Sequence, residues 1–308
     1  MIDTEGLTKK FGDLTAVDRL TVHVDQGEIF GLLGPNGAGK TTTVRMLCGL
    51  ISKTDGSARV AGYDLGNEAD TLKIRKLIGF VPDNVGLYET LTAYDNLDFY
   101  GKLYDCPQAR RKENIERFLR MLGLWEKKDD AVGTFSKGMK QKLALARALV
   151  HDPKILFLDE PTANLDPEAA KTVRDFILQL KDEKRTVFLN THNLDEAQKI
   201  CDRIGILNTN LRAIGTPEEL ERTVQARVTV VQLEQVTEAI LEALRGLHLG
   251  EVSSERNKVT ITLANPEKEN ATVLDAIFRA GGRVQYVNIL GSTLEDAYLN
   301  LVRRKEVE

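Results

Sequence analysis

The chain is poor in cysteine. Only Cys48, Cys106 and Cys201 occur in 308 residues, and they stand far apart. Neither the paired spacing of a metal site nor the density of a disulfide framework is present, which fits a reducing compartment. Neither sign of charge dominates, with 42 basic against 46 acidic residues and a formal net charge of -4. That balance excludes the basic stripe of a nucleic-acid binder, so no nucleic-acid partner is expected. Long apolar runs are missing as well. No stretch approaches the roughly eighteen residues needed to cross a bilayer, and the opening MIDTEGLTKKFG lacks the apolar core of a signal peptide. The expectation is a soluble, cytoplasmic chain whose work at a membrane requires a partner. Internal repeats and low-complexity segments are also absent, and the length points to two domains.

What is present begins with a glycine loop. Gly34-Pro35-Asn36-Gly37-Ala38-Gly39-Lys40-Thr41 matches G-x-x-x-x-G-K-[ST]. Glu28 to Leu33 before it reads as a buried strand, and Thr42 to Leu50 after it as a helix. In that geometry successive backbone N–H groups curl around phosphate oxygens, and the helix start adds partial positive charge. Gly34, Gly37 and Gly39 let the backbone approach closely. Lys40 then reaches the β- and γ-phosphates, and the Thr41 hydroxyl is placed to ligate Mg²⁺. The pattern predicts a bound nucleoside triphosphate.

Leu14 to Val24 and Gly56 to Tyr63 alternate apolar and polar residues and read as half-buried strands of an antiparallel layer. From Ala93 to Leu124 the pattern turns helical, with the charged run Arg110-Arg111-Lys112-Glu113 read as a solvated face. Ser136 to Val150 is a second strong helix. Ile155 to Leu158 and Thr186 to Asn190 fit buried parallel strands, so the core is an α/β sheet covered on both faces. After Gly215-Thr216-Pro217 the pattern changes to strand (Arg227 to Leu233), helix (Thr237 to Leu247) and strand (Val259 to Leu263). Helix (Ala271 to Ala280), strand (Arg283 to Ile289) and helix (Leu294 to Val302) follow. This second small α/β unit carries no chemical motif.

Catalytic parts lie further along. Ile155-Leu156-Phe157-Leu158-Asp159-Glu160 reads as a buried strand delivering two carboxylates at its C-terminal end, where open α/β sheets bind ligands. Asp159 would position Mg²⁺, and Glu160 would act as general base on the attacking water. His192 follows a neighbouring apolar run, which favours a contact to the γ-phosphate. Ser136 reads as an N-cap, and the helix behind it is a second anion site. One chain can hardly close both sides of a triphosphate. A head-to-tail dimer resolves this, Ser136 and Gly138 of one chain capping nucleotide held by the other; taken alone, the segment is an ordinary capped helix.

The ordered set GPNGAGKT, FSKGMKQKLALARAL, ILFLDEPTANLDP and NTHNLDEA resembles the ATP-binding subunit of an ABC transporter over roughly residues 1 to 220. The resemblance implies a phosphate-loop NTPase core of ABC type with an antiparallel β subdomain and a helical subdomain (about 84–150). It implies an ATP-binding domain over 1–221, with a small ferredoxin-like α/β accessory domain over 222–308. The implied cofactors are ATP and Mg²⁺. ATP would meet Phe11, stacked on the adenine, the loop residues Gly34, Pro35, Asn36, Gly37, Ala38, Gly39, Lys40, Thr41 and Thr42, and Ser136, Gly138 and Asp166. The implied partners are a separate integral membrane permease and a second ATP-binding subunit, identical or not, at the inner face of the cell membrane.

Three positions depart from the family pattern. Asp83 stands where glutamine is usual; it still has oxygens for metal or water. Lys137 and Met139 replace the usual residues of an SGGQ signature, and Lys137 could approach the opposing γ-phosphate. SKGMKQKL, with Thr293-Leu294-Glu295-Asp296-Ala297-Tyr298-Leu299, resembles bacterial and archaeal exporter subunits for drug, antibiotic or sodium efflux. An importer subunit with a regulatory domain, or a soluble ATPase acting on DNA or ribosomes, is the alternative. The absence of sustained heptads between Lys40 and Asp159 argues against a DNA-acting ATPase.

Overall fold

The computed structural model describes residues 1–222, 227–290 and 293–303. They form two compact units, 1–217 and 218–308. In chain order the first unit opens with β1 (Ile2–Phe11), β2 (Leu14–Val24), β3 (Ile29–Leu33) and α1 (Lys40–Leu47). Next come β4 (Asp55–Val60), β5 (Tyr63–Asp64), α2 (Glu68–Leu77) and β6 (Ile78–Val81). Three helices follow: α3 (Ala93–Leu103), α4 (Gln108–Met121) and α5 (Lys137–Leu149). The chain then runs through β7 (Ile155–Asp159), α6 (Pro167–Asp182), β8 (Thr186–Thr191), α7 (Leu194–Ile200), β9 (Arg203–Asn208) and β10 (Asn210–Gly215).

A six-stranded sheet of order β10-β9-β3-β8-β7-β6 forms the centre, parallel except for β10 against β9. Its inner strands β3, β7 and β8 are buried at every position. That is why they read as unbroken apolar runs instead of alternating ones. Phe188 in β8 packs against Phe30 of β3 and Phe157 of β7, with ring centroids 5.4 and 5.6 Å apart. A second, antiparallel sheet of order β2-β1-β4-β5 shares its core with α1 and the central sheet. The alternating stretches before and after the glycine loop account for β2, β4 and β5. The long β1 went unread, because register shifts after Thr4, Leu7 and Lys9 break its alternation.

The helical stretch from Ala93 is two helices, not one. Asp105, with φ +55, and Pro107 interrupt it, as proline and a left-handed residue should. The solvated-face reading of Arg110 to Glu113 fails at Arg111, which is buried while its neighbours are exposed. Its guanidinium pairs with Asp98 at 2.5 Å and donates to Cys106 O at 2.8 Å, which supplies the partners a buried charge requires. α5 lies flat on β6: any side chain at Gly79 would collide with Ala148 O.

The short helix α8 (Pro217–Arg222) leads to the second unit: β11 (Arg227–Leu233), α9 (Glu238–Arg245), β12 (Val252–Glu255), β13 (Lys258–Leu263), α10 (Pro266–Arg279), β14 (Val284–Leu290) and α11 (Leu294–Arg303). The sheet order β12-β13-β11-β14, wholly antiparallel, with α9 and α10 packed against it, is the ferredoxin-like β-α-β-β-α-β arrangement. The sequence reading found three of its four strands. β12, Val-Ser-Ser-Glu, is a short polar edge strand with no apolar face to betray it.

Candidate nucleotide site

The glycine loop joins the end of β3 to the start of α1, and its glycines answer different demands. A side chain at Gly34 would collide with Leu207 O, and one at Gly39 with Ala16 O. Gly39 also sits at φ +98, a region that side chains avoid. Gly37 has open space around it and is needed for its φ of +82. Lys40 is 7% exposed, and its Nζ donates to Gly34 O at 2.7 Å and Pro35 O at 3.1 Å. Burial pulls its pKa below the usual lysine value, and the nearby Glu160 and Asp159 carboxylates oppose the shift.

The parallel register of β7 and β8 places Asp159 opposite Asn190. Asn190 Nδ2 donates to Asp159 Oδ1, and Thr41 Oγ1 lies 3.4 Å from the same oxygen. Burial raises the Asp159 pKa, Thr41 and Asn190 oppose the rise, and the charges of Glu160 and Asp83 add to it. Glu160 adopts φ +52, a strained conformation for a residue with a side chain, costing roughly 1–3 kcal/mol. Its N–H is held by Asn190 O at 2.8 Å. The turn aims the carboxylate at His192, with Oε1 2.8 Å from Nδ1. Strain of this kind clusters at active sites, ligand clamps and switch regions.

Most of these residues line one open cleft of about 860 Å³, while Gly34, Pro35 and His192 are not among its lining. Phe11, residues 36–42, Asp83, Asn84, Asp159, Glu160 and Asn190 all face it. Phe11 is 51% exposed, its ring 4.9 Å from Lys9 Nζ. Ser136, Gly138 and Asp166 are not among the residues lining this cleft. Ser136 Oγ caps α5 by accepting from Met139 N at 3.2 Å. Asp166 caps α6, accepting from Ala169 N at 2.9 Å and Glu168 N at 3.1 Å. The two helix starts touch: a side chain at Gly138 would press on Ala169.

Two residues that the sequence reading passed over complete the site. Asn190, fully buried, ends the apolar run of β8, and a polar residue still inside the buried strand was the available signal. Glu196, 1% exposed, accepts from Thr162 Oγ1 at 2.7 Å and Thr191 Oγ1 at 2.9 Å. Burial raises its pKa. It braces the end of β8, from which His192 projects. No signal marked it among the other acids of a helix start.

Residues 17–163 match the family model described as ABC transporter. The chain is 36% identical over 315 residues to the linearmycin resistance ATP-binding protein of Bacillus subtilis, with 99% of both covered. It is 34% identical over 305 residues to the daunorubicin/doxorubicin resistance ATP-binding protein of Streptomyces peucetius, covering 97% of this chain and 92% of the relative. Among solved structures, an ATP-binding subunit of an ABC transporter matches with a TM-score of 0.66 and 29% identity, over 72% of this chain and 92% of the other. A dimeric ATP-binding cassette in a post-hydrolysis state with ADP and Pi matches at 0.63 and 25%, over 70% and 98%. No helix among the described residues is long and apolar enough to cross a membrane. A phosphate loop and two strand-end carboxylates in one cleft, on a chain matched almost end to end by such relatives, identify it: the chain belongs to the ATP-binding subunits of ABC transporters and is an ATPase of that family.

Proposed function

We propose that this subunit powers export through a separate membrane permease, working as a head-to-tail ATP-sandwich dimer at the inner face of the membrane. One observation carries the reading. The two helix starts suited to an anion do not meet in one chain, because the cleft at α1 includes neither Ser136 nor Gly138. A second copy, or a related subunit, turned head to tail would bring its Ser136 and Gly138 over the γ-phosphate, with Asp166 at the junction of the two sites. Within the cleft, Phe11 stacks on the adenine, residues 34–42 wrap the phosphates and Lys40 neutralises their charge. Glu160 takes the proton of the attacking water, and His192, held on Glu160, contacts the γ-phosphate.

Mg²⁺ fits the donors present. Thr41 and Asp159 offer hard oxygen ligands 3.4 Å apart, with Asp83 on the same cleft, and Mg²⁺ favours a few such oxygens plus phosphate and water. It would supply charge neutralisation at the phosphates. Residues 1–221 form the ATP-binding domain in this reading, and 222–308 an accessory domain that supports the dimer. Export is favoured over import by relatives that carry resistance to linearmycin and to daunorubicin/doxorubicin in their names.

The test is purification of tagged Glu160→Gln protein from detergent-solubilised host membranes in ATP and Mg²⁺. Two cassette subunits with a multi-span membrane protein in near-equal amount are expected. Recovery of ribosomes, of DNA-repair proteins or of nothing would sink the transporter reading.

A further inference from the structure

Arg147, in the last turn of α5, grips the backbone that follows β6. Its Nη1 donates to Val85 O, and to Gly86 O at 2.9 Å. The guanidinium lies 5.1 Å from the Tyr100 ring centre, and Tyr100 Oη reaches Gly86 O at 3.4 Å. Among the described residues no carboxylate pairs with Arg147, and burial lowers its pKa. A partly buried cation without an acid is a costly choice for packing alone. Two neighbouring carbonyls do call for it, since the guanidinium fork offers several donors in fixed directions and an ammonium is a single point charge.

The gripped segment matters because of what precedes it. Asp83 and Asn84 line the nucleotide cleft, directly before Val85 and Gly86. α5 and the turn after it also hold the other end of the same strand. His151, four residues beyond Arg147, contacts Ile78 O at 3.0 Å, and Gly79 nests under Ala148 O. The strand and its trailing loop are therefore fastened to the end of α5 and the turn after it. The first turn of that helix, about 14 Å from Arg147 at 1.5 Å per residue, carries Gly138 behind the Ser136 cap.

We propose that Arg147 is a positioning residue for hydrolysis: it ties Asp83 to α5, so that the placement of the Ser136 end sets the reach of Asp83 in the same chain's cleft. The proposal rests on the sandwich reading, in which that end of α5 meets the partner's nucleotide.

The experiment compares Arg147→Met, Arg147→Lys, Asp83→Ala and the Arg147→Met/Asp83→Ala double variant. Arg147→Met should lower kcat by ~10- to ~100-fold, as misplaced groups do, with KM for ATP within about threefold. Asp83→Ala should match it, and the double variant should be no worse than either, because both act through one group. Amide exchange over residues 82–90 should quicken in both Arg147 variants while β7 stays protected. Losses that multiply in the double variant would overturn the proposal, as would a folded Arg147→Met with wild-type kcat. If Arg147→Met does not fold, Arg147→Lys decides: wild-type exchange and kcat refute, faster exchange and reduced kcat support. The sandwich reading fails separately, through no gain in activity when Ser136→Ala and Lys40→Ala proteins are mixed, and the exchange result still judges the hold of Arg147 on its loop.

Discussion

α1 and α5 begin in the same way, with free backbone N–H groups and a glycine nearby, yet their surroundings differ. The start of α1 has no side-chain cap, and Lys40, Asp159 and Glu160 gather around it. Ser136 caps the start of α5, where Lys137 is exposed, Glu89 pairs with Lys140 and Asp166 already caps α6. The first end is built for chemistry on an anion and the second for contact alone. Two unequal ends in one chain make sense when each site takes one from either subunit.

The largest break in this comparison comes at the chemical end. Glu160→Gln should keep ATP affinity and lose at least ~10²-fold in hydrolysis, the typical contribution of a general base. Normal turnover would remove Glu160 from the base role. Next is Lys40→Ala, which should weaken ATP binding itself by ~10- to ~100-fold, the worth of a charge-assisted contact. Titration with a fluorescent nucleotide reads this directly, and unchanged affinity would undo the phosphate-loop assignment.

The far end of α5 yields a pH effect. Burial lowers the His151 pKa to about 4, from an ordinary 6.5, and the ring stacks on Tyr104 with centroids 3.8 Å apart. The unfolded chain therefore takes up this proton first. The stability due to a neutral His151 is full above pH 6.5, declines as pH falls, and is gone below about 4. His151→Phe keeps a stacking ring without the proton, so its denaturant midpoint should vary less between those pH values than that of the wild type.

Smallest in stability, and sharpest for the comparison, is Ser136→Ala. Loss of the cap should cost about 1 kcal/mol and slow hydrolysis without changing ATP affinity in the monomer. Mixing it with Lys40→Ala should restore activity above either alone, since one head-to-tail site would be intact. No gain on mixing would argue that each chain works by itself.

Much of the nucleotide site was legible because its chemistry is local in sequence. The glycine loop, the Asp159-Glu160 pair, His192 and the Ser136 cap each show in a few consecutive residues. What escaped depends on distant partners. Arg111 looked solvated among charged neighbours until Asp98 and Cys106 O closed on it. Glu196 is an ordinary helix-start acid until two threonine hydroxyls are placed against it. β1 and β12 went unread for want of regular alternation, the one through bulges and the other through its polar edge.

The sequence by itself determined the ligand class and the central strands, since buried strands demand apolar runs and phosphates demand glycine beside lysine. It also determined that two helix starts with a glycine nearby exist, at α1 and α5. Only the tertiary structure decided that they stay apart in one chain, and in which register β8 lies beside β7. That register puts Asn190 on Asp159 and His192 on Glu160. Strand order and helix packing are settled by which apolar faces bury against one another, far apart along the chain, and no local spacing records that choice.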